Sequence, residues 1–443
     1  MINQENKQII ILGAGASGLT AAHYLASQGN HVLVLDTYRD AGGNHKSLNI
    51  NEYTFDIGSF VFWGNTQFSR IFPEFIAHAV PVDASANRIA PDCRIKTYPF
   101  DARKEIFGQH RVEIAKCFAS MTVNRITIWQ QRNLRDFLKR RLGSYIYERS
   151  GLRFYVERFC GLPDDRVDIR FAKERMQWVI QKTSILFHAR RVLRNVADQF
   201  AQKKIEMPRA TALVRPATGF HIMYAPVLER LRAVGVDVRL GVDIKAISQT
   251  SDGFIVETCN DRFLACKVIS SIPIGATASL LGLRSDDTPE SITLTTLFVS
   301  FHGERAFKKA ILFNFHSDGN WKRLTMHSDF YGIRNEREYF SVEINGDKTE
   351  VIQSEFAHFC NHVRRVGVLS GDFKLEGSAL TENAYPLYTP ENLFKSERLI
   401  SKIEHLGIQM VGRQGRFQYL PTNASAAQAV LRVLSRGTHF RND

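Results

Sequence analysis

The chain holds 443 residues, 44% of them apolar, and carries a formal net charge of +13. At that length two connected domains are expected rather than one simple core, and the apolar content is ordinary for a soluble globular protein. No stretch reaches the ~18 uninterrupted apolar residues that a membrane helix needs. The six cysteines are scattered, so they give neither a disulfide framework nor a structural zinc site, and no metal is expected. Residues 1–8 lack the basic region of a signal peptide, and a cytoplasmic location is expected.

Ile9-Ile10-Ile11-Leu12 reads as a buried strand, Gly13-Ala14-Gly15-Ala16-Ser17-Gly18 as a glycine-rich turn, and Leu19 to Ala26 as a helix. A second strand, His31 to Leu35, ends at Asp36, eighteen residues past Gly18. Strand, glycines, helix and acid at this spacing form a βαβ dinucleotide fingerprint. Gly13 is expected to permit the tight turn, Gly15 to let backbone approach a pyrophosphate, and Gly18 to bring helix against strand. Ala16 and Ser17 open a helix whose free N–H groups and positive dipole end suit the anion, and Asp36 accepts from a ribose hydroxyl.

From about residue 80 to 210 the texture turns helical. Leu134, Phe137, Leu138, Leu142, Tyr145 and Ile146 make one apolar stripe, and Trp178 to Val196 suggests another long helix. Between Arg170 and Arg215 eleven Lys and Arg stand against Glu174, Asp198 and Glu206, so more than half of the surplus charge is concentrated there. That excess fits a solvated helix face, a site for an anionic substrate, or a peripheral contact with acidic lipid or nucleic acid. Nucleic acid is the weakest of these, because no aromatic stacking platform is interleaved with the charges.

The pattern changes again at Arg215-Pro216-Ala217-Thr218-Gly219-Phe220. A helix over 224–234 leads to strands at Val236 to Leu240, Phe254 to Val256 and Val268 to Ser271. Residues 290–345 look β-rich, with strands at Leu294 to Phe301 and Tyr339 to Ile344. The chain then returns to a helix (Ser396 to Leu406), a strand (Ile408 to Val411), a glycine turn and a last helix for which Asn423 is a good N-cap. No second complete glycine fingerprint is present, so a dedicated NAD(P)H domain is not expected.

This order and these motifs resemble the flavoprotein superfamily of amine oxidases, protoporphyrinogen oxidase and UDP-galactopyranose mutase. The resemblance rests on Gly42-Gly43-Asn44, on Phe55-Asp56-Ile57-Gly58 and on Phe159-Cys160-Gly161-Leu162-Pro163. It rests also on Val242-Asp243-Ile244 and on Gly412-Arg413 followed by Tyr419 and Asn423. It implies an α/β fold with a discontinuous Rossmann-type FAD-binding domain (1–78, 214–285 and 384–443). A second, mixed helical and β-sheet substrate domain would be formed by residues 79–213 and 286–383. It also implies FAD as cofactor, with Gly58, Ile244, Gly412, Arg413 and Asn423 beside it and Arg413 pairing with the pyrophosphate.

Two chemistries follow from the resemblance. One is an oxidoreductase in which flavin N5 takes a hydride from a small anionic or sugar-nucleotide substrate. The other is a non-redox, mutase-like sugar-nucleotide transformation that uses reduced FAD, in which Tyr385, Tyr388 and Tyr419 would hold a diphosphate. The run Gly58-Ser59-Phe60-Val61-Phe62-Trp63 departs from the mutase pattern, which has histidines there, and this favours the oxidoreductase. A third class is an FAD-binding protein without catalysis. No acid/base pair stands out, so no catalytic residue is assigned. His45, His221 and His327 are the histidines to examine as proton shuttles, and Trp63, Arg323 and Tyr331 are further candidates to face substrate.

Overall fold

The computed structural model describes residues 8–58, 61–100, 105, 110–183 and 212–437. Its centre is a five-stranded parallel sheet in the order Val236–Leu240, His31–Asp36, Gln8–Leu12, Lys267–Ser270, Gln409–Met410. The strands therefore come from three separated stretches of chain. Ile10, Ile11, Leu33 and Val34 have no exposure at all, as expected for a parallel sheet covered on both faces. On one face lie the helices Ala16–Ala26, His221–Ala233 and Thr422–Gly437, which pack Leu19, Val227 and Ala426 against Ile9, Ile11, Val32 and Val34. The other face meets an antiparallel three-stranded sheet (Ile244–Thr250, Gly253–Thr258, Arg262–Ala265) and the helix Pro390–His405.

A seven-stranded sheet forms the second body, in the order Leu369–Pro386, Ser291–Arg305, Glu338–Asn345, Trp321–Met326, Ile311–Asn314, Ala86–Ile89, Ile95–Thr97. Its pairing is antiparallel apart from Ile311–Asn314 beside Ala86–Ile89. Helices from Arg111 to Thr183 pack beside it. A hairpin, His45–Ile50 with Tyr53–Gly58, connects the two bodies. Among the described residues no helix is long and apolar enough to cross a membrane.

Two expectations need correction. The stretch from 80 onward begins with strands, Val80–Val82, Ala86–Ile89 and Ile95–Thr97, which are too short to carry a periodic signal and add to existing sheets. The apolar stripe from Leu134 is two helices, Leu134–Leu142 and Ser144–Ser150, because Gly143 turns to φ +79° and lies where a Cβ would come 2.8 Å from Met121 N. The expected long helix is seen as Gln177–Thr183, and its continuation, with most of the basic segment, lies outside the described residues.

Candidate functional site: a dinucleotide cavity flanked by cations and tyrosines

The turn after the first strand is pinned by the Gly13 N–H, which donates to Leu35 O at 2.8 Å. A Cβ on Gly18 would lie 1.9 Å from Gly13 O, so hydrogen alone lets the helix sit this close to the turn. Gly15 has a different job. The nearest atom to its Cβ position is Gly43 Cα at 3.6 Å, and a Cβ on Gly43 would lie 3.2 Å from Gly15 Cα. The two glycines face each other across a narrow gap. The helix that starts there has no side-chain cap, which leaves its first N–H groups available to an anion.

Asp36 is buried at the end of its strand. Its Oδ2 accepts from Ala14 N–H at 2.6 Å and its Oδ1 from Tyr38 N–H at 2.9 Å. Burial pushes the carboxyl up, and those two donors pull it back. Each oxygen keeps acceptor capacity for a hydroxyl. Val242 N–H donates to Asp36 O at 2.9 Å, which brings Ile244 to the same end of the site.

The end of the chain closes the other side. A Cβ on Gly412 would lie 2.3 Å from Ser17 Oγ. Ser17 Oγ and Ser425 Oγ share a hydrogen bond of 2.7 Å, and Arg413 N–H donates to Ser425 Oγ at 2.9 Å. The starts of the first and last helices are thereby stitched together. The last helix begins at Thr422, so Asn423 falls in its first turn rather than in front of it, and the Asn423 side chain lies outside the described residues.

These elements enclose a cavity of about 610 Å³. Of the cofactor residues expected, Gly13, Gly15, Ala16, Ser17, Asp36, Gly42, Gly43, Asn44, Ile244 and Arg413 line it. Gly18, Gly58 and Gly412 act one step behind, by letting backbone pack closely. Trp63 and Tyr419 also line the cavity, Trp63 at its mouth with 48% exposure. Phe60 lies outside the described residues.

Arg413 and Tyr419, in the cavity wall, belong to a cluster of cations and aromatic rings that extends beyond the lining. Tyr385 and Tyr419 stack with centroids 5.4 Å apart. The Arg413 guanidinium lies 4.9 and 4.8 Å from those two rings, and Arg175 lies 5.5 Å from Tyr419. Lys322 Nζ sits 4.6 Å from the Tyr385 centroid and pairs with Glu343 at 3.0 Å. Glu343 also pairs with Arg323, whose guanidinium reaches Gly58 O at 3.4 Å. Burial pushes Lys322 down to about 8. Among the described residues Arg175 and Arg413 have no carboxylate partner, and the Nε of each is buried without an acceptor.

Other candidates have different roles. Tyr331 donates to Asp56 Oδ2 at 2.6 Å and lies under the Arg215 guanidinium, away from the cavity. Tyr388 is committed to Glu174, so it is not free to hold a diphosphate. His45 is buried against Phe220 and bonded to Tyr224 Oη at 2.7 Å, and burial pushes it down to about 4. His327 is buried beside Ser341 and held well below the usual imidazole range, again by burial. Burial disfavours the charged form of both, and of the two His45 lines the cavity while His327 does not. His221 is exposed at the start of a helix.

The sequence did not point to Lys322 or Glu343. Strand alternation would send Lys322 and Arg323 to opposite faces, but an irregularity between Trp321 and Arg323 in the pairing with Glu338–Asn345 lets both reach Glu343. Arg175 was legible only as part of a basic segment.

Comparison with known proteins agrees with this geometry. The NAD(P)-binding Rossmann-like domain family model matches residues 11–77. Prolycopene isomerase 2, chloroplastic, of an Oncidium hybrid cultivar is 34% identical over 95 residues, which is 21% of this chain and 14% of that protein. The 4,4'-diapophytoene desaturase (4,4'-diapolycopene-forming) of Methylomonas sp is 42% identical over 52 residues, 12% and 10% of the two chains. The likeness to these curated relatives thus spans a small part of their length. Reduced UDP-galactopyranose mutase superposes with a TM-score of 0.76 at 16% identity, covering 98% of this chain and 94% of that one. Putrescine oxidase bound to putrescine gives 0.58 at 12% identity, covering 98% and 99%. The chain has the fold of the amine oxidase, protoporphyrinogen oxidase and UDP-galactopyranose mutase superfamily. The first and last chain segments meet beside the cavity, where Ser17 and Ser425 share their hydrogen bond.

Proposed function

We propose that this protein is an FAD-dependent oxidoreductase acting on an anionic substrate, of the phosphorylated or nucleotide-linked sugar class. The observation that carries the reading is the pair Arg175 and Arg413, without carboxylate partners among the described residues, around the stacked Tyr385 and Tyr419, of which Arg413 and Tyr419 line the dinucleotide cavity. Two half-buried guanidinium groups, each with a buried Nε lacking an acceptor, favour an anion beside them even though Arg413 also donates to Ala384 O at 2.8 Å. The fit to FAD is supported by the Gly15–Gly43 gap, the uncapped helix start and the acceptor capacity of Asp36, which would hold pyrophosphate and ribose. Bound FAD supplies two-electron chemistry at its ring system.

The chain's own part is positioning. Arg175, Lys322 and Arg413 hold the substrate's negative charge, Tyr385 and Tyr419 give it an aromatic wall, and Glu343 keeps Lys322 and Arg323 in place. His45, in the cavity wall and held below the usual imidazole range by burial, adds packing rather than charge there. Without a second dinucleotide fingerprint, electrons from bound FAD would be exchanged with oxygen, a quinone or a loosely bound donor.

A second reading is a non-redox transformation of a sugar nucleotide, as in UDP-galactopyranose mutase. The same arginine–tyrosine cluster favours it, because two guanidinium groups over stacked tyrosines suit a diphosphate. The visible spectrum of the purified protein, followed through dithionite reduction and reoxidation in air with and without UDP-sugars, separates the two. Rapid reoxidation supports the oxidoreductase. Slow reoxidation with a sugar-dependent change in the reduced spectrum supports the second reading, and a protein that takes up no flavin sinks both. Arg175→Ala and Arg413→Ala should each weaken UDP-sugar binding by roughly tenfold or more.

A further inference from the structure

The helix Arg111–Thr127 is unusual in its packing. Over its 17 residues only Cys117 and Asn124 are buried. It is held to its neighbours on that side by polar contacts: Asn124 Nδ2 donates to Ser144 Oγ at 2.9 Å, and Tyr145 N–H donates to Ser120 Oγ at 3.0 Å. At 3.6 residues per turn, Val112, Ala115, Ala119, Val123 and Ile126 fall together on a different side, and all are exposed. Val112 is 66% exposed, Val123 56% and Ile126 63%, and Trp129, just past the helix end, is 85% exposed. The helix thus has apolar residues on two sides, one used by the fold and one facing outward along about 25 Å.

Charge borders the outward stripe. On the helical wheel Arg111 lies along one edge and Lys116 along the other, Arg125 lies further round beyond the exposed Phe118, and Arg132 follows Trp129. The only acidic residue of the helix is Glu113, on the packed side, where it pairs with Lys116 and Arg149. An apolar strip with a tryptophan at its end and cations at its margins matches the interfacial zone of an anionic bilayer. Apolar side chains enter the acyl boundary there while Lys and Arg meet headgroup phosphates. Such a strip would lie along the bilayer surface, since among the described residues no helix is long and apolar enough to cross it.

Other occupants fit less well. In a second copy of the chain the same face would bring like charges together. The basic segment 184–211 has Arg190, Arg191, Arg194, Lys203, Lys204 and Arg209 against Asp198 and Glu206, so it too would repel this face.

We propose that the outward face of Arg111–Thr127, with Trp129, is a docking surface for anionic phospholipid membranes. It is independent of the reading of the dinucleotide site. The test is flotation of the full-length protein with vesicles of phosphatidylcholine alone and of phosphatidylcholine with phosphatidylserine. Binding is expected only to the second, with a blue shift of tryptophan emission that Trp129→Phe removes and with loss at high salt. The pair Val123→Glu and Ile126→Glu should weaken binding by about tenfold or more, with far-UV circular dichroism and melting temperature unchanged because both positions are exposed.

No binding to either vesicle overturns the proposal, as does undiminished binding of the double variant. Binding lost on neutralising Arg190, Arg191 and Arg194, but kept in the double variant, also overturns it. A dimer in sedimentation that Ile126→Glu dissolves, with no vesicle binding, assigns the face to a second copy instead.

Discussion

His45 is neutral in the folded protein because four aromatic rings and the Tyr224 hydroxyl surround it. Its folded value of about 4 lies below the unfolded 6.5, so the unfolded chain binds the extra proton first. Stability from this residue is present above pH 6.5 and is lost as pH falls toward 4, by about 3 kcal/mol. Urea midpoints measured between those pH values should fall less for His45→Phe than for the unaltered chain. Gly15 and Gly18 make a second pair of expectations. Gly15→Ala finds only ordinary contact with Gly43, so it should fold normally and lose flavin, read as the absorbance ratio of the purified protein. Gly18→Ala meets Gly13 O and should lower stability by about 1–3 kcal/mol or more, read as a melting temperature. The spacing of the glycines was legible in the sequence because the turn imposes it locally. The burial of His45 was not, since its rings come from residues as distant as Phe220 and Tyr224.

At the scale of elements, the hairpin from His45 to Gly58 is tied down by one buried ion pair. Arg215 pairs with Asp56, and its remaining N–H groups donate to Thr54 O, Pro216 O and Ala217 O at 2.8 to 3.0 Å. Tyr331 and Ser47 complete the shell around the carboxylate. Asp56→Ala leaves the guanidinium buried without its counter-ion and should cost about 3–5 kcal/mol, visible as a lowered urea midpoint. Phe55-Asp56-Ile57-Gly58 was recognisable as a strand and turn, and Arg215 as the start of a returning segment. Their pairing was hidden, because residues 159 positions apart leave no periodic trace. The same limit explains Tyr331, which looked like a substrate contact and instead supports Asp56.

For the whole molecule, the order of helical and strand-rich stretches was readable, and so was a nucleotide-binding sheet drawn from several pieces. The seven-stranded sheet was only half visible, since Ala86–Ile89 joins Ile311–Asn314 across more than half the chain. Such long-range pairing predicts slow assembly. During refolding, most far-UV ellipticity should return before added flavin is quenched, and a single shared phase in stopped-flow traces would contradict this. The hydrogen bond between Ser17 and Ser425 spans 408 positions. Synthesis must therefore run from Ser17 through Ser425 before the two sides of the nucleotide cradle can meet. A product truncated before Ser425 lacks one side of that contact, so flavin uptake, read as yellow colour, is expected only from chains that extend past it.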